Sequence, residues 1–154
     1  MFYNTSDLVT DEIYLKLLSL NRGNIKKMIP SSYSFLIKKI DDKSEIGQCT
    51  LRLGHGQFND YYGNIGYSIY ERYRGHQYAQ KTCDLLLKLA IKHKMEYVYI
   101  CCLPENTASK CICENLGGCL QGEFDVPKWH QLSKYNKNRI LRYVIKVPKC
   151  EGYK

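Results

Sequence analysis

Arg74-Gly75-His76-Gln77-Tyr78-Ala79 stands where a strand-like pattern over residues 64–70 gives way to a helical one. A strand that turns into a helix leaves the first-turn N–H groups without intrahelical partners, and the helix dipole turns its positive end toward the same point. Such a turn binds anions, phosphate above all, and Arg74, His76 and Lys81 add charge to it. It lacks the glycines and the lysine of the kinase-type and dinucleotide-type loops. Carboxylates able to accept a proton nearby are Glu71, just before the turn, and Glu123, near a later strand end.

The eight cysteines pose a different chemical question. Cys101, Cys102, Cys111, Cys113 and Cys119 crowd one stretch, yet no CxxC pair occurs and the spacing is not that of a zinc site. With no basic-then-apolar leader in the first residues, the thiols read as reduced, small hydrophobes of a cytoplasmic protein, and no metal is expected. The net charge of +8 is uneven, +2 over residues 1–77 and +6 over residues 78–154, so the second half favours an anionic partner. Charge alone does not choose among nucleic acid, a membrane surface and a phosphorylated cofactor. No apolar run approaches the roughly 20 residues of a membrane span.

The elements that must position these groups read as one domain over residues 1–154, without repeats or a linker. Thr10 predicts the cap of a first helix with Ile13, Tyr14, Leu17, Leu18 and Leu20 as its apolar face, ending at Asn21-Arg22-Gly23. Residues 34–40 and 45–53 predict a hairpin around Asp41-Asp42-Lys43-Ser44, followed by a Gly-rich loop over 54–63 and a strand over 64–70. Ala79, Cys83, Leu86, Leu87, Ala90 and Ile91 keep a 3.6-residue period, predicting a long amphipathic helix. A central strand over 96–103, a short helix over 107–116 and two last strands over 119–124 and 139–147 complete the reading. A polar loop with Pro127, Trp129 and His130 joins the last two.

This order of elements, with Arg72-Tyr73-Arg74-Gly75-His76-Gln77 at the turn and Asn106, Ala108, Ser109, Leu116 and Gly117 around the short helix, resembles the GCN5-related N-acetyltransferase (GNAT) family. The first motif matches the family's Q/R-x-x-G-x-G/A pyrophosphate signature, and the resemblance spans roughly residues 35–147. Ile65-Gly66-Tyr67 and Leu141-Arg142-Tyr143-Val144 look like its bacterial, small-molecule-type branch. One departure is Gln77, where the family usually has a second glycine or alanine. It is expected in the helix's first turn, where no positive φ is required.

The resemblance implies an α/β (α+β) fold with a mixed, mostly antiparallel central sheet flanked by helices and a V-shaped splay between two central strands. It implies acetyl-CoA as co-substrate, with backbone groups of Ile69 and Tyr70 pairing with the pantetheine arm as an added strand would. Arg74, Gly75, His76, Gln77, Tyr78 and Ala79 would hold the pyrophosphate, and Asn106 and Ser109 would face the arm or its adenosine end across the splay, although both residue types also cap helices. Where relatives place a tyrosine acid, seven residues after the asparagine, this chain has Cys113, a candidate acid or a packed core thiol. Tyr143 is a second candidate acid. The reaction implied is direct attack of an amine, of a small molecule or a peptide, on the thioester, in a pocket made by the first helix and the loops over 54–63 and 126–138. A non-catalytic acyl-CoA binder of the same fold and an RNA-binding module are the rival readings. Neither nucleic acid nor membrane is an expected partner, and a homodimer stays open.

Overall fold

The computed structural model describes residues 1–135 and 138–149. Seven strands, β1 (Ile13–Asn21), β2 (Ser32–Lys39), β3 (Glu45–Arg52), β4 (Ile65–Ile69), β5 (Tyr97–Cys102), β6 (Cys119–Asp125) and β7 (Arg139–Lys146), form two sheets. The first has the order β1-β2-β3-β4 and the second β5-β7-β6, and every ladder in them is antiparallel. Among the described residues three α-helices, α1 (Gln57–Tyr62), α2 (Tyr78–Lys92) and α3 (Thr107–Asn115), flank them.

The β2–β3 hairpin forms around residues 41–44 as its alternation predicts, with Phe35 opposite Cys49 and Tyr33 opposite Leu51. These side chains, all buried, share one sheet face with Ile65 of β4 and Ile13 of β1, and the apolar stripe of α2 closes over it through Cys83, Leu86, Leu89 and Ala90. Period-2 alternation continues in the second sheet. Val98 and Ile100 of β5 and Leu141, Tyr143 and Ile145 of β7 enter the same core. Cys101 packs instead beside Ile140, Val126 and Leu132.

The segment over residues 10–21 is the clear correction: after a turn at residues 10–12 it forms an edge strand, Ile13–Asn21, not a helix. Thr10 does accept from the Glu12 and Ile13 amides, but the turn it stabilises feeds a strand. Ile13 and Leu15 are buried while Tyr14 and Lys16 face away, and β2 supplies a full antiparallel ladder. Ile-Tyr-Leu-Lys-Leu fits period 2 as well as period 3.6, and tertiary pairing decided between them. The loop over 54–63 likewise contains the one-and-a-half-turn helix α1.

Among the described residues no helix is long and apolar enough to cross a membrane, and no group of His, Cys, Asp and Glu could hold a metal ion. The described cysteines are free; Cys150 lies outside the described residues.

Candidate active site

Among the described residues the two sheets share backbone hydrogen bonding at one point, Asn64 with Tyr99, and β4 and β5 part from there. Asn64, fully buried at the head of β4, donates its backbone N–H to the Tyr99 carbonyl at 2.7 Å and accepts the Tyr99 N–H on its side-chain Oδ1 at 2.8 Å. Its Nδ2 donates to the Arg52 and Gly54 carbonyls at 2.9 and 2.7 Å, so one amide ties β3, β4 and β5 together. Gly63, with φ +78°, brings the preceding backbone so close that a Cβ there would sit 2.9 Å from the Tyr99 carbonyl oxygen. Beyond this stitch β4 and β5 have no ladder between them.

Two cavities fill the gap and share Tyr67, Ser68, Asn106 and Ser109. The larger, about 710 Å³, runs from those four residues along Ile69 to the start of α2 and is covered by Ala108, Cys111 and Ile112 of α3. The smaller, about 440 Å³, lies over Gln48, Thr50 and Arg52 of β3 and reaches Tyr61, Tyr62 and Leu132.

At the far end of the larger cavity, no described group accepts a hydrogen bond from the backbone N–H of any residue from 75 to 80; the first amide of the helix to be satisfied is Lys81, by the Gln77 carbonyl. Six unpaired donors in a row at a helix start form an anion cradle. Gly75 has φ +88°, and a Cβ there would meet nothing within 4 Å, so the glycine is demanded by backbone conformation on a surface open to a ligand. Gln77, expected in an ordinary helical conformation, instead precedes the helix with φ +62° and makes no capping bond. This corrects the sequence reading: the position does require the left-handed region that glycine adopts without strain.

At the shared end, Tyr67 Oη lies 2.8 Å from Ser109 Oγ. Burial pushes the Tyr67 phenol well above its usual value, so it stays protonated. Asn106 caps α3, its Oδ1 accepting from the Ser109 amide at 3.1 Å, which fixes Ser109 toward β4.

A family model described as "Acetyltransferase (GNAT) domain" matches residues 9–118, more than two thirds of the chain and all of this site except Leu132 and Ile140 of the smaller cavity. The chain belongs to the GNAT family. No curated protein matches the sequence. Among solved structures, a GNAT-family acetyltransferase from Bacillus anthracis is similar at 23% identity and TM-score 0.58, over 73% of this chain and 65% of that one. A Vibrio cholerae protein described as a ribosomal-protein-serine acetyltransferase is similar over 93% of this chain and 99% of its own, at 14% identity and TM-score 0.67. The microcin C7 self-immunity acetyltransferase MccE, in complex with acetyl-CoA and AMP, is similar at 16% identity and TM-score 0.57, over 75% of this chain and 61% of its own. The chain thus spans just under two thirds of the first of these relatives.

Within this GNAT fold the predicted cofactor residues Ile69, Arg74, Gly75, Gln77, Tyr78, Ala79, Asn106 and Ser109 all line the larger cavity. Tyr70 and His76 do not. The Tyr70 amide is already satisfied by the Ile46 carbonyl at 2.9 Å and its phenol by Glu45, so it has no N–H left for a pantetheine arm or a thioester carbonyl. The His76 ring lies against Tyr78. Arg74 folds back to donate its Nε to the Ile69 carbonyl at 3.0 Å.

Neither catalytic candidate reaches a cavity. Cys113 is 0% exposed in the main core, and burial pushes its thiol up to about 12. Tyr143 is the buried centre of β7, paired with Ile100 and Leu120. Glu71 and Glu123 are exposed, the latter beside Arg139, and among the described residues no acid lines either cavity. Of the three expected pocket elements, the segment over 54–63 and the segment over 126–138 contribute Tyr61, Tyr62 and Leu132, while residues 10–21 contribute nothing. Sequence reading missed Tyr67, Ser68, Gln80 and Arg52. A polar Gln-x-Thr-x-Arg alternation on β3 was the available signal for the last.

Proposed function

We propose that this chain binds acetyl-CoA in the larger cavity and passes its acetyl group to an amine held in the smaller one. The observation that carries this reading is the meeting of the two cavities at Tyr67, Ser68, Asn106 and Ser109, with the unpaired N–H row of residues 75–80 at the far end of one of them. A pyrophosphate fits that row through backbone groups of Gly75 to Ala79, with Arg74 beside it. The pantetheine arm follows Ile69, whose carbonyl has a second lone pair beyond the one Arg74 uses. The thioester then reaches Ser109 and Tyr67.

The neutral amine nitrogen attacks the thioester carbonyl carbon, the C–S bond breaks, and the thiolate takes up a proton. Tyr67 and Ser109 supply the donor. One of their two hydroxyl hydrogens lies between them, which leaves the other for a sulfur placed at the junction. No carboxylate in the cavities takes the amine proton, so it leaves through water. Cys113 and Tyr143 then serve packing. Free cysteines suit a reducing compartment, which supports a cytoplasmic site of action.

Release of free CoA thiol from acetyl-CoA in the presence of amines tests the transfer. Binding of acetyl-CoA without release of CoA by any amine would leave a carrier or sensor. Tyr67→Phe should lower kcat by roughly a hundredfold, the low end of what a positioned proton donor contributes because Ser109 remains, with acetyl-CoA affinity near wild type.

A further inference from the structure

Arg52 stands in the acceptor cavity as a cation without a counter-ion among the described residues. It closes β3, donates Nη1 to the Gly63 carbonyl at 3.1 Å and lies over the Tyr62 ring at 5.0 Å. A guanidinium has five N–H donors, and among the described residues this is the single hydrogen bond its side chain makes. No described Asp or Glu forms an ion pair with it. Burial pulls its pKa down, yet a guanidinium remains charged, so a half-buried positive charge faces a cavity to which no described residue contributes an acid. Arg142 offers the contrast: its Nε donates to the Asp60 carbonyl at 2.7 Å, its guanidinium sits 4.1 Å over Phe124, and it lines neither cavity.

The backbone makes room for Arg52. A Cβ on Gly66 would lie 3.3 Å from both Nη1 and Nη2, so the guanidinium rests against bare β4 backbone. Across the β3–β4 ladder Thr50 faces Gly66 and Gln48 faces Ser68, which makes one continuous polar face from Arg52 to the junction of the cavities. Gly66 and Ser68 are two residues apart on an extended strand, about 6.6 Å.

We propose that the acceptor is a small amine that also carries an oxyanion, a carboxylate or a phosphate, which Arg52 grips in a forked pair while the amine lies at Ser68. This rests on the acetyl-transfer reading above. A planar guanidinium matches either oxyanion through two parallel hydrogen bonds. The short span between the guanidinium and the junction suits molecules whose amine and anion are a few bonds apart, as in an amino acid or an amino-alcohol phosphate. A peptide N-terminus lacks a carboxylate at that distance unless its first side chain supplies one.

The test uses matched acceptors: amino acids against their amides, and phosphoethanolamine against ethanolamine. CoA release from acetyl-CoA is measured for each, and binding of each to the CoA-loaded protein is measured by calorimetry. The anionic member of at least one pair should have a KM or Kd at least tenfold lower, and the pair that shows it identifies the oxyanion. Arg52→Gln should erase the preference while leaving acetyl-CoA affinity unchanged, and Arg52→Lys should retain part of it. If Arg52→Gln does not fold, the wild-type pairs and Arg52→Lys carry the test. Equal use of neutral and anionic members, or a preference that survives in Arg52→Gln, overturns the inference while transfer itself stands. Selective binding of anionic members without acetylation overturns the transfer reading and upholds the ligand class.

Discussion

Asn64 shows how much one buried amide can hold. Its side chain serves as a substitute strand, accepting the Tyr99 N–H and donating to the carbonyls of Arg52 and Gly54. Asn64→Leu leaves the Tyr99 N–H and the Arg52 carbonyl without partners, while the Gly54 carbonyl keeps Asn59 Nδ2 at 3.0 Å, so it should cost roughly 2 kcal/mol or more, a large share of a small domain's stability, measured as a fall in the denaturant midpoint. A loss below about 1 kcal/mol would mean that the sheets are held together elsewhere. Cys113 makes the opposite case. A thiol at 0% exposure within the main core predicts that Cys113→Ala costs roughly 1 kcal/mol with kcat per folded molecule unchanged. A hundredfold drop in kcat in a normally stable variant would restore it as the acid. Both residues were visible in the sequence, but their neighbours were not. Asn64 bonds across 35 positions to Tyr99, a partner that no local pattern reveals.

At the scale of elements, legibility followed whether a segment's pattern had a single solution. The 15-residue helix α2 was readable because its buried positions repeat at 3.6 over four turns. The β2–β3 hairpin was readable from alternation on both sides of a polar turn. Residues 13–21 satisfied two periods at once, and only the ladder offered by β2 chose the strand. The turn into α2 was legible but its first residue and conformation were not: Gln77, expected inside the first turn, precedes the helix with a left-handed φ that no local pattern reveals. That strain is testable. Gln77→Gly relieves a left-handed conformation that costs a non-glycine residue about 1 kcal/mol, so it should raise the melting temperature by a few degrees. Gly75→Val should do the reverse and weaken acetyl-CoA binding more than His76→Ala, since Gly75 lines the cavity at φ +88° and the His76 ring does not. Equal effects of the two substitutions would remove the turn from the cofactor site.

The whole molecule carries a pH dependence that its histidines set. His130 is buried among Phe58, Tyr61 and Tyr62, its Nδ1 accepting from the Leu132 amide at 3.2 Å while Nε2 lies 3.1 Å from the Phe58 carbonyl oxygen. Both nitrogens are in use only in the neutral ring. His93 bonds the Tyr33 hydroxyl through Nε2 at 2.6 Å under the core. Burial holds His55, His93 and His130 below the ordinary 6.5 in the folded protein. As pH falls through about 6.5, the unfolded chain takes up protons on these rings before the folded one does, so stability is complete above that pH and declines toward the depressed folded values. Lys92 beside Asp7 and the Ser44 amide on Asp42 hold those carboxyls below their usual range, which adds a further loss only in more acidic solution. Asp84, raised by burial, acts in the opposite direction near and above the ordinary carboxyl value. Denaturant midpoints should therefore be level from about pH 7.5 down to 6.5 and fall between 6.5 and 5, with a shallower fall in His93→Gln, which keeps an acceptor for Tyr33 but cannot titrate there. A midpoint that is flat across that window, or that rises on acidification, would show that the rings are protonated in the folded protein and that the His130 contacts described above do not hold in solution.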